Sequence, residues 1–394
     1  MPSTKEAMEK PVQKEEVTME ESRYTPEPGP RRSVAFIGSE CYPFVKTGGL
    51  ADVMYALPKA LSRMNCDVKV ILPRYRCIPW EYQTRMVYRG EFQMNLCADG
   101  RSFYVGIMEY VWDGVVYDFI DNQEFFSDGN PYTSIIGDIP KFCFFSKAAL
   151  AALNFMNWIP DIIHCHDWQT GLVPVYLHER FQADEFYRGI KTVMTIHNLK
   201  FQGIWDRKTI QSITGLSDYY FTPDKLEFKH DASYLKGGLV YADAITTVSR
   251  TYAEEIKTPF YGEHLDGLLN ARAHDLRGIV NGIDYAEYDP KKNKDIPANY
   301  SKTNMKNKQL CKLEVQRLFG LPESPHPPLV AMISRLASHK GFDLVRYVME
   351  DLLQRDLQFV LLGTGEAELE QFFDNMSKKY PQKCRVMLAY NKAI

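Results

Sequence analysis

Residues 46–53 read Lys-Thr-Gly-Gly-Leu-Ala-Asp-Val, a few positions beyond the apolar run Val34-Ala35-Phe36-Ile37-Gly38. The run is short and rich in β-branched and aromatic residues, which predicts a buried parallel strand. Past the glycines, Leu50, Val53, Leu57, Ala60, Leu61 and Met64 recur at helical spacing. The order is strand, glycine-rich turn, helix. The first N–H groups of such a helix have no intrahelical partner and carry the positive end of the helix dipole, so they can bind an anion. Gly48 and Gly49 would let a ligand approach the backbone, and Lys46 adds a full charge beside it. A phosphate-bearing ligand fits that chemistry, although paired glycines can equally serve a tight turn alone. Neither G-x-G-x-x-G nor a Walker A loop is present.

Outward from this unit, strands and helices alternate, which argues for a doubly wound parallel sheet. Cys66–Leu72 predicts a strand ending at Pro73, Arg101–Ile120 one or two more, and Asp161–His166, Lys191–His197 and Ala244–Ser249 three further strands. A break is expected near 276–284, followed by a Lys- and Asn-rich loop to about Lys308. A second α/β unit then begins, with strands at Leu329–Ile333, Phe359–Leu362 and Arg385–Leu388 and a helix over Gly341–Leu353. The fold class is α/β, as two Rossmann-like domains facing a cleft, with ligands at the carboxyl ends of the strands. The division reads 1–32 as a disordered tail, 33–280 as the first domain, 281–308 as a linker and 309–394 as a partial second domain.

The 394 residues exceed one ordinary core, which agrees with two domains. A net charge of −3 gives no basic excess for nucleic acid, and no apolar stretch is long enough to span a bilayer. Eight cysteines are scattered and never form Cys-x-x-Cys, which predicts reduced thiols and a cytoplasmic location. The first 32 residues are rich in Glu, Lys and Pro and lack the hydrophobic core of a secretory signal.

Polar motifs close several strands. His164-Cys165-His166-Asp167-Trp168 puts two histidines on one face of a strand, where they can pack, cap the following helix or pair on a metal. With no third ligand nearby, no metal site is expected. Thr195-Ile196-His197-Asn198-Leu199 ends another strand, with Asn198 as either a cap or a substrate contact. Asp138 precedes Pro140-Lys141-Phe142 and reads as a solvated loop residue or a site carboxylate. Asn281 lies in Asn281-Gly282, a turn signal whatever its function. In the second unit, Ser334-Arg335-Leu336-Ala337-Ser338-His339-Lys340-Gly341 follows a strand and opens a helix, so Arg335 and Lys340 can flank an anion. Gly363-Thr364-Gly365-Glu366 closes the next strand.

The stretch Glu40–Val53 resembles the N-terminal signature of the bacterial glycogen synthases and plant starch synthases, with the bacterial K-T-G-G-L-A-D-V the nearer match. His166-Asp167-Trp168 is similar to the H-D-W of these enzymes, and 334–341 to the S-R-L-x-x-x-K-G motif of GT-B glycosyltransferases. The resemblance implies transfer of glucose from ADP-glucose, a substrate and not a cofactor, to the non-reducing end of an α-1,4-glucan with anomeric retention. It implies catalytic roles for His166, Asp138, Lys340 and Arg335. It also implies binding of substrate and donor by Lys46, Gly48, Gly49, His197, Asn198, Asn281, Gly363 and Thr364. Arg335 and Lys340 would clamp the diphosphate, and the Gly363 turn would meet base and ribose. No nucleic acid or membrane partner is implied.

The family continues past Tyr390-Asn391-Lys392-Ala393 with an E-x-C-G-L motif, whose glutamate lies near the reacting sugar, and a T-G-G-L loop over the phosphates. Neither string occurs here. Residues 309–394 are expected to give three strands and two helices, with an exposed apolar edge around Val386–Leu388 and little turnover by residues 1–394 alone. A non-catalytic nucleotide-sugar or glucan-binding protein would share these motifs. A UDP-glucose transferase would share the second-unit motif but not residues 46–53.

Overall fold

The computed structural model describes residues 30–97 and 100–389. Most of the segment read as a tail lies outside the described residues, as does the 390–393 stretch. Arg32, read as part of that tail, is the first strand residue, paired with Cys66.

The chain divides into two units, Met1–Gly282 and Ile283–Ile394. From Ile283 onward, the segment read as a linker groups with the second unit. The first unit is built on β1 (Arg32–Ile37), α1 (Gly49–Ser62), β2 (Cys66–Pro73), β3 (Val87–Asn95), β4 (Ser102–Trp112), β5 (Val115–Asp121), α2 (Ile135–Phe155), β6 (Ile162–His166), β7 (Lys191–Ile196), β8 (Ala244–Thr247) and β9 (Leu276–Gly278). These strands form one sheet in the order β9-β8-β7-β6-β1-β2-β5-β4-β3. β1 runs parallel to both its neighbours, with Phe36 opposite Val70 on one side and His164 on the other. A central parallel strand is covered on both faces, hence its unbroken apolar run and the full burial of Ala35, Phe36 and Ile37.

Three readings of the sequence are corrected. The helix after the glycines is present, but it buries Leu50, Met54, Tyr55 and Pro58, while Ala60 and Met64 of the expected stripe are exposed. Met54 packs on Gly38, and Lys59 reaches inward to the Tyr55 hydroxyl at 2.8 Å, which rotates the buried face. The sheet is not wholly parallel, because β4 is antiparallel to both β5 and β3. β4 and β5 are two strands joined by Asp113-Gly114, both at positive φ (49° and 80°), as a two-residue hairpin turn requires. Finally, the first residues of the expected break, Leu276–Gly278, extend the sheet beside β8.

The second unit holds α3 (Lys308–Phe319), β10 (Leu329–Ile333), α4 (Phe342–Gln354), β11 (Gln358–Leu362), α5 (Ala367–Lys379) and β12 (Cys384–Met387). Among the described residues of 309–394 that gives three helices where two were expected. Its sheet is parallel in the order β10-β11-β12, and β11 is buried along its whole length. Both β10 and β12 are edges of this sheet: Ile333 on β10 is 71 % exposed, Val386 on β12 is half-buried beneath α5, and Leu388 just past β12 is 40 % exposed, so the expected apolar edge around Val386–Leu388 is present in part and β10 is the more exposed. In a doubly wound sheet of order 3-2-1-4-5-6 the first strand lies between the second and the fourth, and among the described residues only the second pairs with β10, so β10 is an edge here.

Candidate active site

β6 alternates, so His164 and His166 share one face and Cys165 is buried on the other. The two imidazoles stack at 4.3 Å between centroids, and Phe36 lies against both. His164 Nε2 sits 2.6 Å from Thr195 Oγ1, itself 2.6 Å from Thr246 Oγ1, so a polar row crosses β6, β7 and β8. His166 is fully buried, and its Nδ1 lies 3.0 Å from His197 Nε2, so one ring donates to the other. His166 Nε2 has no hydrogen-bond partner among the described residues. Burial pulls the pKa of His164 down to about 3, that of His166 well below its ordinary value, and that of His197 downward as well. All three rings are therefore neutral near pH 7, and His166 offers a dipole instead of a cation.

Asp167, which the reading of the sequence quoted but gave no role, holds this arrangement. Its φ of 56° and ψ of −174° border a region that is nearly glycine's own, at a cost of order 1–3 kcal/mol. In that conformation its N–H donates to Thr195 O (3.0 Å), and its Oδ1 accepts from the N–H of His197 (2.7 Å) and of Asn198 (3.4 Å). Burial raises the Asp167 pKa, while His197 and these N–H groups act against the rise. The ends of β6 and β7 are thus tied together. Trp168 packs behind them, and a Cβ on Gly203 (φ +62°) would fall 2.2 Å from its ring, so the 198–203 loop can close only over glycine. Asn198 Oδ1 accepts from Lys200 N at 3.1 Å, which makes it a turn cap in this structure.

Asp138 is not a solvated loop residue. It is buried in the first turn of α2, where it accepts from Thr133 N and Oγ1 and pairs with Lys141 at 2.8 Å. A charge buried with its partner rarely stands alone, and Lys141, 2 % exposed, supplies that partner. The glycine loop behaves differently. Lys46 pairs with Asp52 at 2.7 Å, and Thr47 N donates to Glu40 at 2.6 Å. Gly48 is extended (φ −159°), and a Cβ at Gly49 would meet nothing within 4 Å. Protein packing does not require either glycine, so close approach of a ligand remains a reason for them.

In the second unit, Arg335 and Lys340 lie on the exposed loop from β10 to α4, and neither side chain has an ion-pair partner among the described residues. Here the glycines are structural. A Cβ on Gly363 would lie 1.9 Å from Ser334 O, and one on Gly365 2.0 Å from Leu336 O, because the two strand-end loops are stitched by the Leu336–Gly365 bridge. Ser338 adds hydrogen bonds to Glu366 from both N and Oγ. Gly363 and Thr364 therefore sit directly beside the Arg335 loop. Asn281 is exposed at the end of the first unit. Among the described residues no group of three or more His, Cys, Asp or Glu could hold a metal ion.

A family model for the starch synthase catalytic domain matches residues 33–271. The glycogen synthase of Lachnospira eligens is 55 % identical over 362 residues, covering 92 % of this chain and 75 % of its own length. That of Geobacillus stearothermophilus is 45 % identical over 361 residues, covering 92 % and 74 %. Among solved structures, the catalytic domain of starch synthase IV from Arabidopsis thaliana, bound to ADP and acarbose, superposes with a TM-score of 0.83 at 29 % identity, over 92 % of this chain and 75 % of that one. The strand-end histidines, the glycine loop and the cationic loop thus stand in a chain that belongs to the glycogen and starch synthase family of glycosyltransferases.

Proposed function

We propose that the chain transfers glucose from ADP-glucose to the non-reducing end of an α-1,4-glucan with retention, in the cytoplasm. The observation that carries this reading is the buried, neutral His166–His197 pair held at the strand ends by Asp167. As the glycosidic bond to the donor breaks, positive charge grows on the anomeric carbon and negative charge on the departing diphosphate. A neutral imidazole at His166, or its adjoining carbonyl, can stabilise the first without repelling it. Arg335 and Lys340, without an ion-pair partner among the described residues and on the loop that leads into α4, can take the second, and preorganised charges in a water-poor site act most strongly there. Lys46, Gly48 and Gly49 would hold the donor in the first unit. Gly363 and Thr364 would lie against its nucleoside, and His197, Asn198, Asp138 and Asn281 would contact or frame the sugar.

Incorporation of labelled glucose into glycogen from ADP-glucose and from UDP-glucose tests the reading. ADP-glucose is expected to be the better donor, with new linkages in the α configuration. Preference for UDP-glucose would reassign the donor. Binding of ADP-glucose and glucan without transfer, in a form extended through the family's E-x-C-G-L and T-G-G-L motifs, would favour a binding protein instead.

A further inference from the structure

His166 Nδ1 and His197 Nε2 meet at 3.0 Å, so a single proton lies between two imidazoles. Which ring owns it decides what His166 shows to the rest of the site. If His197 donates, the proton of His166 sits on Nε2. If His166 donates, its Nε2 is a bare lone pair. The surroundings fix the ring in place. His166 N donates to Thr170 Oγ1 at 2.7 Å, and that hydroxyl donates back to His166 O at 2.9 Å. The ring stacks on His164 with 4.3 Å between centroids.

Two observations put the shared proton on His166. First, His166 Nε2 is buried with no hydrogen-bond partner among the described residues. In folded proteins a buried N–H without an acceptor is rarer than a buried acceptor short of a donor. Second, Asp167 stands at the backbone end of His197: its Oδ1 accepts from His197 N at 2.7 Å, and its charge acts on the His197 ring. Along the side chain, Nδ1 is the ring nitrogen nearer to that N–H, while Nε2 faces His166. A carboxylate at the near end draws the His197 proton to Nδ1, which leaves Nε2 as an acceptor. Both lines end in one state, with a proton on Nδ1 of each ring and a bare Nε2 on His166. A lone pair there can face a growing positive charge that an N–H would repel.

We propose that His197 is a positioning residue for the transfer: it accepts the Nδ1 proton of His166 and so keeps His166 Nε2 bare, with Asp167 setting the direction. The proposal deepens the glucosyl-transfer reading and rests on it. Long-range proton–nitrogen NMR spectra of residues 1–394, labelled with ¹⁵N-histidine and held at neutral pH, test it without turnover. Signals are assigned by difference against His166→Gln and His197→Gln. A free histidine favours the proton on Nε2, so a bare Nε2 on His166 is the informative result, and Asp167→Asn should mix the two tautomers. In the form extended through the family's motifs, His197→Leu should lower kcat by about tenfold, with KM for ADP-glucose changed by less than about twofold. His197→Gln, whose amide oxygen can still accept, should recover most of kcat. If His197→Leu melts early, the wild-type spectrum and Asp167→Asn decide. A proton on His166 Nε2 in wild type, Asp167→Asn with the wild-type tautomers, or His197→Leu with wild-type kcat would each overturn the proposal and leave the functional reading standing. A bare Nε2 in an extended form that transfers no glucose would instead defeat the functional reading, and the role of His197 in transfer with it.

Discussion

At Gly49 a Cβ meets open space, whereas at Gly203 it would meet the Trp168 ring at 2.2 Å. The same residue type thus serves two purposes, and the structure tells them apart where the sequence did not. Gly203→Ala should lower unfolding stability by about 1–3 kcal/mol, because the loop must shift to admit a methyl group and the φ is strained. Gly49→Ala should leave the thermal midpoint essentially unchanged and weaken donor binding. Urea denaturation and ADP-glucose titration separate the two, and a Gly49→Ala variant that unfolds as early as Gly203→Ala would refute the distinction. Arg335 poses a sharper question, since no ion-pair partner among the described residues accounts for its charge. In a form extended through the family's missing motifs, Arg335→Ala should cut kcat/KM for ADP-glucose by about one to two decades, the value of a charge-assisted phosphate contact of ~1.5–3 kcal/mol. An unchanged kcat/KM would remove Arg335 from the diphosphate.

At the scale of elements, the joined ends of β6 and β7 carry a pH dependence whose sign follows from burial. His164, His166 and His197 have folded pKa values below the ordinary value near 6.5, so below that pH the unfolded chain binds more protons than the folded one. Stability should therefore fall as the pH drops from 7 toward 5, by up to about 1.4 kcal/mol per pH unit for each histidine that stays neutral when folded. Asp167, whose pKa is raised by burial, works in the opposite sense as the pH falls. Urea midpoints at pH 7, 6 and 5 should decrease in order, and His164→Phe should flatten the slope. A midpoint independent of pH would show that the rings are accessible to protons in the folded state. These elements were well marked in the sequence because each strand is an apolar run that ends in a polar motif. β3 was not, since its residues alternate weakly and most are exposed at the sheet edge. The role of Asp167 was hidden too: its strained backbone and the loop it holds depend on β7, some thirty residues away in the chain.

For the whole molecule, the first unit has a continuous core from β1 to β9, while the second presents an apolar surface along β10 and α4. Ile333 is 71 % exposed, Leu344 70 % and Tyr347 89 %. Patches and unpaired edges of this kind promote self-association. Residues 1–394 should form concentration-dependent oligomers in light scattering and bind a hydrophobic dye, and Ile333→Lys with Tyr347→Lys should reduce both. A monomer at every concentration, with no dye binding, would contradict this. The division into two α/β units was legible from the second run of strand, turn and helix, and so was an edge near Leu388, but the more exposed edge at β10 was not, because strand order is not written in strand sequence. The most direct test of the account as a whole is release of ADP from ADP-glucose in the presence of glycogen, followed for residues 1–394 beside the extended form. The account predicts glycogen-dependent release and α-linked product from the extended form, with little turnover by residues 1–394. Equal turnover by both, or no transfer by the extended form, would contradict it.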